Sequence, residues 1–152
     1  EAETGDPIPR LAAIVADDVA ALIERLRLSN AEAARLEALV APDHTLGPDI
    51  DRQALRRVLY RIVPETANDL LLLAAADQGA GTWLESSLET VASWQSVKLP
   101  IKGRDVLARG IPAGQRVGEL LTRVEQWWED GDYQPDRDEA LAYLDEIIAK
   151  NL

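Results

Sequence analysis

The chain has 152 residues, 47% hydrophobic and 28% charged, and carries a formal net charge of −11 at pH 7. That balance is too apolar for an intrinsically disordered chain, and the length suits one domain or two small helical subdomains. Cysteine is absent, which excludes a disulfide framework, a thiolate nucleophile and a sulfur-ligated metal; the longest apolar run, Leu70 to Ala76, sits between Asp69 and Asp77 and falls far short of the ~18 residues of a membrane span.

The first residues, Glu1-Ala2-Glu3-Thr4, are acidic and polar, unlike a secretory signal, so residues 1–8 read as a disordered or tag-like segment and a cytoplasmic location is expected. The chain contains no Met, from which we expect a processed start or a piece of a longer protein. From about Pro9 to Leu28 the residues Leu11, Ile14, Val15, Val19, Leu22, Ile23 and Leu26 recur at three- and four-residue spacing, predicting one amphipathic helix. Ser29-Asn30-Ala31-Glu32 is a capping box that opens a second helix carrying Leu36, Leu39 and Val40 before Pro42. Asp43 to Pro48 reads as a loop.

Asp49 or Asp51 caps a third helix with Leu55, Val58, Leu59 and Ile62. Pro64-Glu65 opens a fourth, which ends near Gly79-Ala80-Gly81, and Thr82 caps a fifth bearing Trp83, Leu84, Leu88, Val91 and Trp94. After an extended Lys98 to Lys102 comes a short helix around Asp105 to Arg109, closed by Gly110. A longer helix with Val117, Leu120, Leu121, Val124, Trp127 and Trp128 is closed by Gly131, and Asp136 with Glu139 caps the last, which carries Leu141, Tyr143, Leu144, Ile147 and Ile148. No segment alternates as a half-buried strand does. The expected fold is all-α, an irregular array of about eight short helices with no sheet.

Enzyme chemistry finds little to work with. The single His, His44, lies in a Pro/Gly loop and reads as a residue facing water; there is no nucleophile elbow, Walker loop or dinucleotide fingerprint. Three Asp-x-Asp pairs occur: Asp49/Asp51, Asp130/Asp132 and Asp136/Asp138. Two-metal transfer needs such carboxylates on rigid strands, where residues i and i+2 point the same way, whereas these sit at helix starts or in a turn and read as caps. No catalytic residue and no metal ligand is expected in this chain.

The charge is unevenly spread. Lys98 to Arg123 holds Lys98, Lys102, Arg104, Arg109, Arg116 and Arg123 against only Asp105 and Glu119, a net +4 inside an acidic chain, while Val124 to Leu152 is net −7. Phosphate binding follows local potential, so the island is the leading candidate for an anion-binding segment. Its glycines, Gly103, Gly110, Gly114 and Gly118, permit close backbone approach to a ligand, and helix starts near Gly103 and Gly114 offer free amides; tight turns between short helices explain the same glycines equally well. On the third helix, a step of about 100° per residue sets Arg52, Arg56, Arg57 and Arg61 opposite the apolar face. That arc suits a phosphate backbone or, alternatively, a solvated face paired with acidic neighbours. Trp83, Trp94, Trp127 and Trp128 can stack on bases, but in a chain with no Phe they read as the bulky core residues.

Lys102-Gly103-Arg104-Asp105-Val106-Leu107-Ala108-Arg109-Gly110-Ile111-Pro112-Ala113-Gly114-Gln115-Arg116-Val117-Gly118-Glu119-Leu120-Leu121 resembles the C-terminal part of bacterial CCA-adding tRNA nucleotidyltransferases and their poly(A) polymerase relatives. The family pattern there, Gly-x-Asp-Leu, a spacer, then Gly-x-x-Pro-Gly-Pro and a further Gly, is matched by Gly103, Asp105, Gly110, Gly114 and Gly118. Val106 replaces the usual Leu, and Ala113 and Gln115 replace the prolines around Gly114. Trp127-Trp128, then Tyr133, Pro135, Asp136 and Arg137, also look like that family, as do Leu26 to Glu32 and Arg57 to Arg61.

The resemblance implies a helical body over residues 9–97 and a helical tail over 98–152. The family's catalytic head, with its Gly-Ser and Asp-x-Asp motifs on a sheet, has no counterpart here, and neither has the neck motif that selects CTP and ATP. It implies a part that grips tRNA and is not itself catalytic, partnered by a head and neck domain of the same parent, with Mg²⁺ and CTP or ATP needed only there. In that role Lys98, Lys102, Gly103, Arg104, Arg109, Gly114 and Arg116 would contact RNA, with Arg52, Arg56, Arg57 and Arg61 as weaker candidates and Asp105 bracing the turn. The alternative is an acidic helical module that binds protein and no nucleic acid.

Overall fold

The computed structural model describes residues 6–15 and 18–150. Among these residues run nine helices and no strand: α1 (Pro7–Ile14), α2 (Val19–Leu26), α3 (Asn30–Val40), α4 (Arg52–Arg61), α5 (Pro64–Gln78), α6 (Thr82–Ser93), α7 (Gly103–Leu107), α8 (Gln115–Asp130) and α9 (Arg137–Ala149). The fold is all-α, as the periodicity requires. It divides between Gln95 and Ser96 into two compact units, the first holding α1 to α6 and the second α7 to α9.

The single helix expected from Pro9 to Leu28 is instead two. The Asp6 carboxylate accepts the Ile8 amide at 3.0 Å to cap α1, and Asp18, in the left-handed region at φ 55°, accepts the Ala21 amide at 3.1 Å to cap α2. Both helices pack on α3, so the apolar spacing runs on through the break because the two pieces share one neighbour. Of the disordered segment expected over residues 1–8, residues 1–5 lie outside the described residues. Pro7, however, opens α1 at a position where its missing amide costs nothing, and Ile8 is buried in the core, so ordered structure starts ahead of Pro9.

The Ser29 capping box forms as expected. Glu32 accepts the Ser29 amide at 2.8 Å and its hydroxyl at 2.7 Å, while the Ser29 hydroxyl accepts the Glu32 amide at 3.3 Å. Of the two candidate caps for α4 it is Asp51 that serves, accepting the Ala54 amide at 2.7 Å. Thr82 is not the cap of α6 but its first helical residue, and Gly81 holds the cap position. The first core gathers Leu36 and Leu39 from α3, Leu55 and Leu59 from α4, and Leu70 and Leu71 from α5, with Val91 from α6. One buried acid crosses it: Asp69 on α5 accepts Arg35 Nε at 2.7 Å, and Arg35 also reaches Asp6. Such a carboxylate is tolerated inside only when a cation answers it.

In the second unit α8 packs against both α7 and α9. Ile101, Val106, Leu120, Val124, Leu144 and Ile147 close its core. Asp136 and Glu139 cap α9 reciprocally, at 2.8 and 3.0 Å to the Asp138 and Glu139 amides and 2.9 Å from the Asp136 amide back to Glu139. Gly131 is needed for closeness, since a Cβ there would lie 2.8 Å from a Pro135 side-chain carbon. The tryptophans serve the cores. Trp128 is buried and donates its indole N–H to the Pro135 carbonyl at 2.9 Å, Trp127 stacks on Tyr143 at 4.5 Å, and Trp83 and Trp94 pack half-buried on the first core.

Candidate functional site

The site grows from the extended stretch between Trp94 and α7. Pro100 prevents helix there, and Ile101, 2% exposed, pins the stretch into the second core while the residues beside it face out. Lys98, Lys102 and Arg104 are all exposed, and among the described residues no carboxylate lies within ion-pairing distance of them. The short helix begins at Gly103 rather than near Asp105, two residues earlier than the spacing suggested. A Cβ on Gly103 would stand 3.6 Å from Val117, so the segment 102–104 runs beside the first turn of α8, where Arg116 is exposed. Gly114 holds the cap position of α8 at φ +151°, with no side chain capping the helix, and Gly110 turns the chain after α7 at φ +81°.

Asp105 is the hub beneath these cations. It is 8% exposed, and its carboxylate accepts the Lys102 amide at 2.7 Å, which fixes the entry to α7. The same carboxylate receives the Arg137 guanidinium, at 2.5 Å from Nη2 and 3.3 Å from Nη1, and Nη1 also donates to the Pro100 carbonyl at 2.6 Å. The Asp105 carbonyl accepts Arg109 Nη1 at 2.9 Å. Arg137 first, and the Lys102 amide second, hold the Asp105 carboxyl below its ordinary range. Asp105 thus takes the bracing role expected of it.

Arg109 is half-buried and turned to α9. Its guanidinium grips Asp145 of α9 with both ends of the fork, Nε on one oxygen and Nη2 on the other at 3.1 Å. That pairing lowers the Asp145 carboxyl and raises the Arg109 guanidinium. The six cations of the island counted in the sequence therefore split: Lys98, Lys102, Arg104, Arg116 and Arg123 are exposed, and Arg109 ties α7 to α9. Arg137 and Asp145 carry this geometry although the charge pattern of the sequence singles out neither of them. The available signal was Asp105 itself, one of only two acids in a basic run, which requires a cation once buried.

The arginines of α4 belong to the first unit. Arg52 and Arg61 are exposed, whereas Arg56 and Arg57 are half-buried, with the Arg56 guanidinium 5.3 Å above the Trp94 ring and that of Arg61 5.8 Å above Tyr60. They do not form one bare arc. A groove of about 380 Å³ beside Arg52 is lined by hydroxyls and acids as well, among them Ser87, Thr90, Asp51 and Glu89. Among the described residues no group of three or more His, Cys, Asp or Glu is placed to hold a metal ion, and no helix is long and apolar enough to cross a membrane.

Fold and site together define an all-helical protein whose second unit presents exposed cations on an Asp105-braced turn. No family model matches the chain. Part of it is similar to CCA tRNA nucleotidyltransferase 1, mitochondrial, of Homo sapiens, at 32% identity over 57 residues, and to the protein of the same name from Mus musculus at 30% over 57 residues. Each match covers 38% of this chain and 13% of the length of the relative. A region of the chain is thus similar in sequence to part of CCA tRNA nucleotidyltransferases.

Proposed function

We propose that this chain is the tRNA-gripping body and tail of a CCA-adding tRNA nucleotidyltransferase or a poly(A) polymerase relative, and that it acts beside a catalytic head domain of the same parent. The observation that carries the reading is the exposure of Lys102 and Arg104 on the motif that resembles the family, and of Lys98 just ahead of it, without ion-pair partners among the described residues. The partial similarity to CCA tRNA nucleotidyltransferases supports it. In mechanism, these side chains and Arg116 neutralise RNA phosphates, while the rigid α7–α8 turn fixes their register along the backbone. Mg²⁺, CTP and ATP belong in this reading to the head, and the residues described here hold only the tRNA.

Counterion release makes the test quantitative. With about four phosphates engaged, log affinity should fall against log salt with a slope of roughly −3. Fluorescence anisotropy of the full chain with labelled tRNA reads that slope, and Lys102→Glu combined with Arg104→Glu should abolish binding. Binding that ignores salt, or that survives the double charge reversal, refutes the mechanism. Incorporation of CTP and ATP into end-trimmed tRNA by this chain alone would overturn the non-catalytic role. A second reading, an acidic module that binds protein, is favoured by the apolar side chains left outside the cores, Ile14 at 78% and Val63 at 59% exposure. A chain that binds no tRNA at any salt would turn the balance toward it.

A further inference from the structure

We infer that Arg137 is a positioning residue for the proposed RNA grip: it touches no phosphate, but its guanidinium clasps the two ends of the cationic segment and sets the spacing of Lys98, Lys102 and Arg104. The inference rests on the proposed function and adds to it a residue that the charge pattern gave no reason to choose, since Arg137 stands in the acidic last stretch of the chain.

The geometry is specific. One nitrogen of Arg137 donates to the Pro100 carbonyl at 2.6 Å, midway between Lys98 and Lys102. The fork also holds the Asp105 carboxylate, at 2.5 and 3.3 Å, next to Arg104. That carboxylate in turn accepts the Lys102 amide at 2.7 Å. Through this one side chain the start of α9 fixes the backbone on both sides of Lys102. A planar guanidinium can bridge a carbonyl and a carboxylate at once, whereas an ammonium offers a point charge to one or the other. Packing of Ile101 and Leu99 on the second core anchors this extended stretch, but it has no internal helix bonds to fix its backbone, and residues ordered only on binding subtract from affinity. The pairing also turns the Arg137 charge toward Asp105, so the cation that organises the site adds little to the field outside it.

Positioning and direct contact leave different marks in salt titrations. Loss of a phosphate-contacting lysine should reduce the magnitude of the slope by about one, while loss of a positioning residue lowers affinity at every salt concentration and leaves the slope alone. We therefore expect Arg137→Ala in the full chain to weaken binding of labelled tRNA by about tenfold with an unchanged slope. Lys102→Ala should weaken it with a shallower slope. Arg137→Lys should not restore affinity, and Arg137→Ala should speed hydrogen exchange at the Lys102 amide, a readout independent of RNA.

Circular dichroism identifies a variant that has simply unfolded; Asp105→Asn, which keeps the shape but gives up the ion pair, then supplies the same comparison. Wild-type affinity in Arg137→Ala, full rescue by lysine, or a slope shallower by one overturns the inference and leaves the proposed function standing. Absence of salt-dependent tRNA binding by the wild-type chain sinks the proposed function, and this inference with it.

Discussion

Replacing Leu144 by alanine should remove most of the stability of the second unit. Leu144 sits at the centre of the α9 stripe at 0% exposure, in one core with Val106 and Val124, also at 0%, and Ile101 at 2%. A leucine closed in on all sides loses both its transfer free energy and the contacts across the cavity it leaves, about 2–5 kcal/mol for such a truncation. With full burial and rigid helix on both flanks we expect ~3 kcal/mol. A single core in a unit of fewer than about 70 residues rarely supplies more than ~3–5 kcal/mol, so this one change should bring residues 96–152 close to their unfolding midpoint. Leu141, one turn earlier on the same stripe, is only half-buried, and its truncation should cost about 1 kcal/mol because less area returns to water. Urea melts followed by circular dichroism give the free energies, and hydrogen exchange at Val124 and Ile147 localises the loss. A cost below ~1 kcal/mol for Leu144→Ala, or equal costs at 141 and 144, would refute the burial argument and the assigned face of α9.

Acid should act through a small set of carboxylates. Asp105 and Asp145 are held low by Arg137 and Arg109 respectively, Asp6 by the Ile8 amide and then Arg35, and Glu32 by the Ser29 hydroxyl and amide. A carboxyl lowered on folding adds stability that is complete above its unfolded value and is lost as pH falls through its folded one. Urea midpoints should therefore stay level down to about pH 5 and decline below about pH 4, less steeply in Asp105→Asn; a decline that begins near neutrality would contradict this assignment. Asp136→Ala should cost about 1 kcal/mol, the worth of an N-cap, measured by urea denaturation, and a neutral result would mean that the capping box contributes nothing to the start of α9.

Much of the fold was legible because helix signals are local. The Ser29–Glu32 and Asp136–Glu139 boxes, Pro64 at the head of α5, and Gly110 after α7 each determine their own few residues, and all stand where the sequence put them. The break after Ile14 was hidden because apolar spacing records which face is buried and not whether one helix or two bury it. Asp18 was the cue, since after glycine it is Asp and Asn that most readily take the left-handed turn that restarts the chain. The site was legible as composition and illegible as geometry. Lys98, Lys102 and Arg104 could be found by counting charge. That Arg109 faces Asp145, and that Arg137 holds Asp105, depends on contacts 36 and 32 residues apart, which no local pattern encodes.

Those long-range pairs also bear on how an acidic protein can present a cationic surface. Each ion pair sets one positive charge against one negative charge, so the net charge stays the same while the local field changes. Arg109 and Arg137 neutralise Asp145 and Asp105, and Lys150 neutralises Glu146 one helical turn away. Two of the three acids so neutralised belong to the stretch that makes the last helix anionic, and the third lies directly under the cationic segment. Lys98, Lys102 and Arg104 are left with no adjacent carboxylate free to pair with them. At physiological ionic strength, exposed charges more than about 8 Å apart are largely screened. A phosphate arriving at the turn therefore responds mainly to those three side chains and Arg116, and only weakly to the sum of −11 carried by the whole chain.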